Sequence, residues 1–209
     1  PDQGISHIVA SEQGIALPGT TLACVDSHVC TVGAVGGISW AFGASEVFHV
    51  LATQTSVLRK PPTMRINLEG TPDKVVTPKD IILYLIGRIG AAGGLGHGVE
   101  FAGPVIEKMP MEGRFTICNM AVEMGAAFAV VAPDDITFDY IKGRPQAPSG
   151  AQWNAAVADW HTLKSDDGAV FDHEVSVDFS HVAPQVSWGI SPQDMISVDG
   201  VIPDPAEEP

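Results

Sequence analysis

The stretch TTLACVDSH, residues 20–28, is the part of this chain from which both fold and chemistry can be inferred. Residues 20–25 are small or apolar, which is typical of a buried strand. Asp26, Ser27 and His28 follow at once, and the glycine-rich residues 33–43 come after them. Because open α/β sheets bind ligands where their strands end, we expect this strand to present a carboxylate, a hydroxyl and an imidazole to a cleft.

A second polar pair lies in the segment CNMAVEMG, residues 118–125. Asn119 and Glu123 are four residues apart, which places them on one face of a helix among apolar or small neighbours. A carboxylate in such surroundings needs a partner such as a histidine, unless the residue simply lies on the helix surface. We therefore expect the polar residues of this segment and those of residues 26–28 to belong to one site.

The spacing of Asp26 and His28 predicts that both side chains lie on one face of a strand, where the carboxylate would orient the imidazole. A turn aspartate beside a surface histidine is the alternative interpretation. His7 is a candidate second imidazole for Asp26, although an isolated histidine is more often half-buried without a role. Ser27 is not expected to be a hydrolase nucleophile, because Gly-x-Ser-x-Gly is absent around it.

Other chemistry finds little support in the sequence. His97 lies in the glycine-rich loop 90–98 and is a weaker candidate, since such a loop also simply turns. No phosphate-binding glycine motif follows a strand. Cys24, Cys30 and Cys118 lie in apolar stretches without zinc-finger spacing, which predicts buried reduced thiols and no disulfide.

Composition excludes several classes of protein. The chain has 209 residues, is 45% hydrophobic and carries a net charge of −14 with only 11 lysines and arginines. A globular fold with a substantial core is therefore expected, whereas binding to nucleic acid or to an anionic membrane is not. The glycine-rich residues 33–43 are too short for a membrane span, and we expect a cytoplasmic protein.

Helices and strands alternate in the predicted order. Thr77-Pro78-Lys79-Asp80 is the clearest helix start, with a capping hydroxyl, a proline and an acid three residues after the cap. Ser45 is predicted to cap a helix that runs to Pro61-Pro62, and residues 114–124 to form another. Strands are predicted at residues 21–26, 64–68, 99–102, 127–131 and 169–177.

The alternation predicts a three-layer α/β/α sandwich with a mostly parallel sheet. We expect one region over residues 1–202, with a possible subdivision near residues 60–75. Residues 203–209 are rich in proline and acid, as a linker-like tail would be. The chain starts with Pro1 rather than Met, so we expect both ends to be cut.

Six segments occur in collinear order over essentially the whole chain: residues 24–28 (CVDSH), 44–54 (ASEVFHVLATQ), 93–97 (GGLGH), 111–114 (MEGR), 118–125 (CNMAVEMG) and 184–189 (PQVSWG). Read together, they resemble the aconitase superfamily. Within it, the similarity is greatest to the large subunits of isopropylmalate dehydratases, and the whole set is far more specific than any one motif.

The resemblance implies a hydro-lyase that interconverts 2-isopropylmalate and 3-isopropylmalate in leucine biosynthesis. That group uses a [4Fe-4S] cluster whose open iron acts as a Lewis acid on the substrate hydroxyl, because hydroxide leaves poorly until a cation holds it. It also implies a small partner subunit, which contributes a serine base and the remaining contacts to a small 2-hydroxy acid.

The resemblance also implies roles for individual residues. Asp26, Ser27 and His28 match the segment that lines the substrate and cluster pocket. His7 matches a histidine that pairs with the aspartate at Asp26, and Glu123 matches a glutamate that pairs with the histidine at His28. These pairs would move protons to and from the departing water. The positions near the cluster are matched by Thr31 and Asn119.

Three departures from the pattern matter. The cluster-ligand segments of that group, Gly-Ser-Cys-Thr-Asn and a later Cys-x-x-Cys, are missing from this sequence, as is an Asp-His segment upstream of His7. The three cysteines present do not match ligand positions, so no metal or cluster is expected on this polypeptide. Val29 stands where the group usually has threonine, which leaves substrate preference open.

We therefore expect an internal fragment of a hydro-lyase large subunit that lacks the cluster-binding domain and is inactive alone. One alternative keeps the chemistry and changes the substrate to homoaconitate, citraconate or another small 2-hydroxy acid. The other is a cluster-free binding or assembly module that has kept the fold and lost catalysis.

Overall fold

The computed structural model describes residues 4–204 and 206. Over these residues the helices are α1 (Ser6–Glu12), α2 (Ala44–Thr53), α3 (Pro78–Ile89), α4 (Pro104–Glu107), α5 (Met111–Met120), α6 (Asp135–Ile141) and α7 (Gly150–Trp160), with 3-10 helices η1 (Ser27–Val35), η2 (Ala121–Met124) and η3 (His161–Leu163). The strands are β1 (Thr21–Cys24), β2 (Ile38–Ala41), β3 (Thr63–Glu69), β4 (Gly98–Ala102), β5 (Phe128–Val131), β6 (His173–Asp178), β7 (Gln185–Ser187) and β8 (Met195–Ser197).

A four-stranded parallel sheet in the order β5-β4-β3-β6 is the centre of the molecule. The chain steps outward from β3 through β4 to β5 and then returns across the sheet to β6. Helices α3 and α5 pack on each other, and α6 packs on α5, where the rings of Phe115 and Tyr140 meet edge-to-face with centroids 5.2 Å apart. The predicted α/β/α architecture with a mostly parallel sheet is confirmed.

Strand β3 shows why this sheet forms. Its side chains alternate between buried and half-buried, and Met64, Ile66 and Leu68 point into the core. Ile66 is in register with Phe101 of β4 and Val175 of β6, so apolar side chains continue across three strands. The alternation predicted for residues 64–68 is confirmed, and the burial of this row stabilises the sheet against solvent.

Helix α3 begins as its sequence predicts. The Thr77 hydroxyl accepts a hydrogen bond from the Asp80 N–H at 3.3 Å, and the Asp80 carboxylate accepts one from the Thr77 N–H at 2.8 Å. Pro78 occupies the first turn, where no N–H donor is needed. The other Asp80 oxygen accepts from the Gln185 N–H at 2.9 Å, which ties the β7–β8 hairpin to the start of α3.

Several predicted boundaries are wrong. The helix predicted from Ser45 to Pro61 begins after Gly43 and ends at Thr53, because Gln54 adopts a left-handed conformation. The helix predicted over residues 114–124 begins at Met111 and becomes 3-10 helix at Ala121. Strand β6 begins at His173 rather than at residue 169.

The largest difference concerns residues 26–43. Asp26 and His28 are not on a strand, because β1 ends at Cys24 and η1 starts at Ser27. The glycine-rich residues 33–43 are not one long turn either, since they contain the end of η1 and all of strand β2. Strands β1 and β2 pair in parallel as a second, two-stranded sheet.

Gly33 explains how η1 fits against the main sheet. A Cβ atom at this position would overlap the backbone carbonyl oxygen of Ala129 in β5. Only glycine therefore allows η1 to lie directly on that strand. Beside this contact, Trp40 of β2 packs edge-to-face on Phe128 of β5, with ring centroids 5.4 Å apart. No helix within residues 4–204 and 206 is long and apolar enough to cross a lipid bilayer.

Candidate active site

Asp26 is the N-cap of helix η1. Its Oδ1 accepts a hydrogen bond from the backbone N–H of His28 at 2.8 Å, which satisfies one of the free donors at the helix start. The same oxygen lies 3.9 Å from His28 Nδ1. The close approach of Asp26 and His28 thus comes from helix capping rather than from the strand spacing that the sequence suggested.

His7 joins Asp26 from helix α1. Its Nδ1 lies 3.5 Å from Asp26 Oδ2, and the imidazole is almost completely buried, with 9% of the side chain exposed. Burial lowers the pKa of His7 below its usual value, the Asp26 carboxylate acts in the opposite direction, and the neighbouring His28 lowers it further. His7 is therefore predominantly neutral at pH 7.

Glu123 reaches His28 from the opposite side. Glu123 Oε1 lies 3.2 Å from His28 Nε2, and each side chain is 37% exposed. Glu123 lies on η2, directly after α5, so the site joins the segment after β1 with the segment before β5. His28 consequently has a carboxylate near each ring nitrogen.

Thr31 and Asn119 connect the same two segments beneath the imidazole. The Asn119 side-chain amide donates to Thr31 Oγ1 at 2.8 Å, and the Thr31 hydroxyl donates to the His28 carbonyl at 2.6 Å. Thr31 is 2% exposed, so these bonds are shielded from water. The chain of bonds holds η1 and α5 in one relative position.

Two other candidate residues have different surroundings. Ser27 Oγ lies 3.2 Å from His28 Nδ1, at the exposed end of η1. His97 lies elsewhere: its Nδ1 is 3.0 Å from the Leu95 carbonyl, and its ring is 6.4 Å from the ring of His173. The structure therefore brings Ser27 to the imidazole of His28. It places His97 next to His173, away from this cluster.

The sequence did not single out Gly33 as a site residue, although it determines where η1 lies. Its signal was a glycine inside an otherwise apolar segment, which marks a close backbone approach. Val29, which replaces the usual threonine of the resembling group, does not face solvent. It is 1% exposed, so its side chain contacts protein rather than solvent.

The metal-binding side chains within residues 4–204 and 206 do not fit a cluster. Cys24, Cys30 and Cys118 are free thiols. Burial raises the pKa of Cys30 to about 11 and raises that of Cys118 well above its usual value, whereas iron–sulfur clusters bind thiolates. Among residues 4–204 and 206, no three His, Cys, Asp or Glu side chains form a group that would hold a metal ion.

Comparison with known proteins identifies the family of this chain. The aconitase family (aconitate hydratase) matches residues 1–209. The 3-isopropylmalate dehydratase large subunit 1 of Bradyrhizobium diazoefficiens is 51% identical over 207 residues, which are 99% of this chain and 43% of that protein. This chain thus spans less than half the length of that relative. The chain belongs to the aconitase family.

Proposed function

We propose that this chain is part of the large subunit of a hydro-lyase that interconverts 2-isopropylmalate and 3-isopropylmalate in leucine biosynthesis. The observation that carries the proposal is the placement of His28 between Asp26 and Glu123, with His7 behind Asp26. Similarity to a 3-isopropylmalate dehydratase large subunit supports the choice of substrate.

Removal of water from a 2-hydroxy acid requires two kinds of group. A base takes a proton from one carbon, and an acid protonates the hydroxyl that leaves the neighbouring carbon. His28 and Glu123 share one hydrogen bond, so the proton between them is available for transfer to a departing hydroxyl. Rehydration of the product uses the same pair in reverse.

His7 has a different role in this proposal. Because its pKa is lowered by burial, it is neutral, and its Nδ1 faces the Asp26 carboxylate. An N–H at Nδ1 would point toward this carboxylate and help to orient it. The fixed Asp26 in turn holds the backbone of His28, so His7 stabilises the position of the catalytic imidazole.

A [4Fe-4S] cluster, held by residues outside this chain, would supply the Lewis acid in the complete enzyme. We also propose a small partner subunit that closes the site over a small 2-hydroxy acid, and a cytoplasmic location. Homoaconitate and citraconate remain alternative substrates. Since Val29 is buried, the residue at this position contributes little to the choice among them.

The test is an assay of the complete large subunit together with its small subunit, ferrous iron and sulfide, on a panel of 2-hydroxy acids. We expect turnover of 2-isopropylmalate, and a loss of roughly 10²- to 10⁴-fold in kcat for His28→Ala and for Glu123→Gln. His181→Ala and Glu174→Gln are matched controls, because both side chains are exposed.

The absorbance of the reconstituted cluster should remain intact in all four variants. Near-wild-type turnover by His28→Ala or Glu123→Gln would refute the assigned roles. If the reconstituted complex turns over another acid of the panel and leaves 2-isopropylmalate unchanged, that acid is the substrate. A complex that turns over none of them would favour a binding module.

A further inference from the structure

Arg114 is a charged residue with no exposed surface. It lies in the second turn of α5, in the segment MEGR that the sequence shares with the aconitase superfamily, and it is 0% exposed. A buried guanidinium is costly unless every donor is paired. Nothing in the acid–base chemistry proposed above uses this side chain.

Each of the five N–H donors of Arg114 has an acceptor. Nε donates to the Met109 carbonyl at 3.0 Å, and Nη2 donates to the Glu107 carbonyl at 3.4 Å. Nη1 and Nη2 donate to the two carboxylate oxygens of Asp134 at 2.7 and 2.6 Å, and Nη1 also donates to Thr137 Oγ1 at 3.2 Å. The residue thus fixes three chain segments at one point.

Two of these segments hold the third, helix α5, in position. Glu107 and Met109 belong to the connection that follows β4, and Asp134 is the N-cap of α6 after β5. Apolar packing alone tolerates small sliding movements, whereas five directional hydrogen bonds specify one position. The guanidinium of this ion pair is buried while the Asp134 side chain is 38% exposed, and such a pair is better suited to specifying a position than to adding stability.

Gly113 contributes to the same placement. A Cβ atom there would come within 2.5 Å of Met109 Cγ and 2.8 Å of Pro78 Cγ. Glycine therefore lets α5 lie close to the turn at Met109, whose carbonyl accepts from Arg114. Both residues of the Gly113-Arg114 pair act on the start of α5.

The other end of α5 carries groups of the active site. Asn119 lies about 7.5 Å further along the same helix and donates to Thr31. Glu123 follows directly on η2 and contacts His28. A shift of α5 along its axis would therefore move both groups relative to η1.

We propose that Arg114 is a positioning residue of the active site: through its bonds to Asp134 and to the turn at Met109 it sets the position of α5, and thereby the contact between Glu123 and His28. This inference rests on the proposed hydro-lyase function. A misplacement of about 1 Å at the reacting groups costs roughly 100-fold in rate.

The test uses the complete large subunit with its small subunit and reconstituted cluster. Arg114→Met fills the same space without the charge, and Arg114→Lys keeps the charge with fewer donors. Ile141→Ala is the matched control, since Ile141 is also 0% exposed and is the last residue of α6, the helix that Asp134 caps. Unfolding is measured for every variant, so that activities are compared among folded proteins.

We expect Arg114→Met to lower kcat by roughly 10- to 100-fold with little change in KM, and Arg114→Lys to recover part of that loss. In a Glu123→Gln background, Arg114→Met should lower kcat by less than about threefold. The reason is that both substitutions impair the same contact, between Glu123 and His28. Ile141→Ala, at equal loss of stability, should keep most of its activity.

A second measurement does not depend on turnover. The imidazole resonances of the ¹³C-histidine-labelled large subunit, with that of His28 assigned through His28→Gln, should move in Arg114→Met and stay in place in Ile141→Ala. An unmoved His28 resonance, multiplicative losses of kcat with Glu123→Gln, or an equal loss in Ile141→Ala would overturn the inference. If the wild-type complex lacks hydro-lyase activity, the proposed function fails while the resonance still tests the positioning.

Discussion

Nε2 of His28 lies 3.2 Å from Oε1 of Glu123, although 95 positions separate the two residues in the chain. On the other side of the imidazole, Asp26 holds the backbone N–H of His28 and approaches His7. The acid–base groups thus come from three segments that meet because η1 packs on α5 and β5.

Gly33→Ala should prevent η1 from lying on β5. The added Cβ would overlap the Ala129 carbonyl oxygen, and a backbone atom cannot rotate away as a side chain does. We expect a loss of at least ~3 kcal/mol in the free energy of unfolding, measured by urea denaturation of the large subunit. Gly37→Ala is the control, because its nearest neighbour would be an ordinary contact at 3.4 Å. Equal stability of the two variants would contradict the packing described here.

Thr31→Val should weaken the connection between η1 and α5. The valine has a similar shape but leaves the His28 carbonyl and the Asn119 amide without their buried partner, at a cost of about 1–2 kcal/mol. We also expect roughly tenfold lower kcat in the reconstituted enzyme. Thr31→Ser keeps the hydroxyl and should therefore regain most of the lost stability and most of the lost kcat. If Thr31→Ser is as unstable and as slow as Thr31→Val, the effect comes from packing and not from the hydroxyl.

His7 makes stability depend on pH. Its pKa in the folded chain lies below the unfolded value of 6.5, so the unfolded chain binds more protons between these two values. Stability should therefore be complete above pH 6.5 and decline as the pH falls toward the folded pKa. The free energy of unfolding of His7→Gln should vary less over this window. Parallel curves for the two proteins would disprove the assignment.

Asp134→Asn should leave the buried guanidinium of Arg114 without its counter-ion. Burial alone would raise the pKa of Asp134, but hydrogen bonds and charge from Arg114 outweigh it and lower the pKa below 3.8. Because the Asp134 side chain is 38% exposed and water partly screens the pair, we expect a loss of about 2 kcal/mol at neutral pH.

The difference between wild type and Asp134→Asn should be complete above pH 3.8. It should disappear as the pH falls through the lowered pKa of Asp134, because the wild type then loses the same charge. Asp139→Asn, a change to another carboxylate on α6, is the control. A difference that is independent of pH would point to packing instead of charge.

Much of the fold could be predicted from local sequence. The capping box at Thr77 and the alternation along β3 each depend on residues within one or two turns or along one strand, and both predictions hold. The helix predicted from Ser45 to Pro61 failed because nothing in its spacing marks Gln54, whose left-handed conformation ends the helix.

The sequence by itself determined which segments form helices and strands and, through its resemblance to a family, which polar residues deserved attention. Only the tertiary structure decided that Asp26 caps a 3-10 helix starting at Ser27, that Gly33 lies against β5, and that Arg114 pairs with Asp134. The physical reason is the separation along the chain between the residues that interact. Helix capping and alternation act between near neighbours in the chain, whereas His28 and Glu123 approach each other across 95 positions, where η1 packs on α5 and β5.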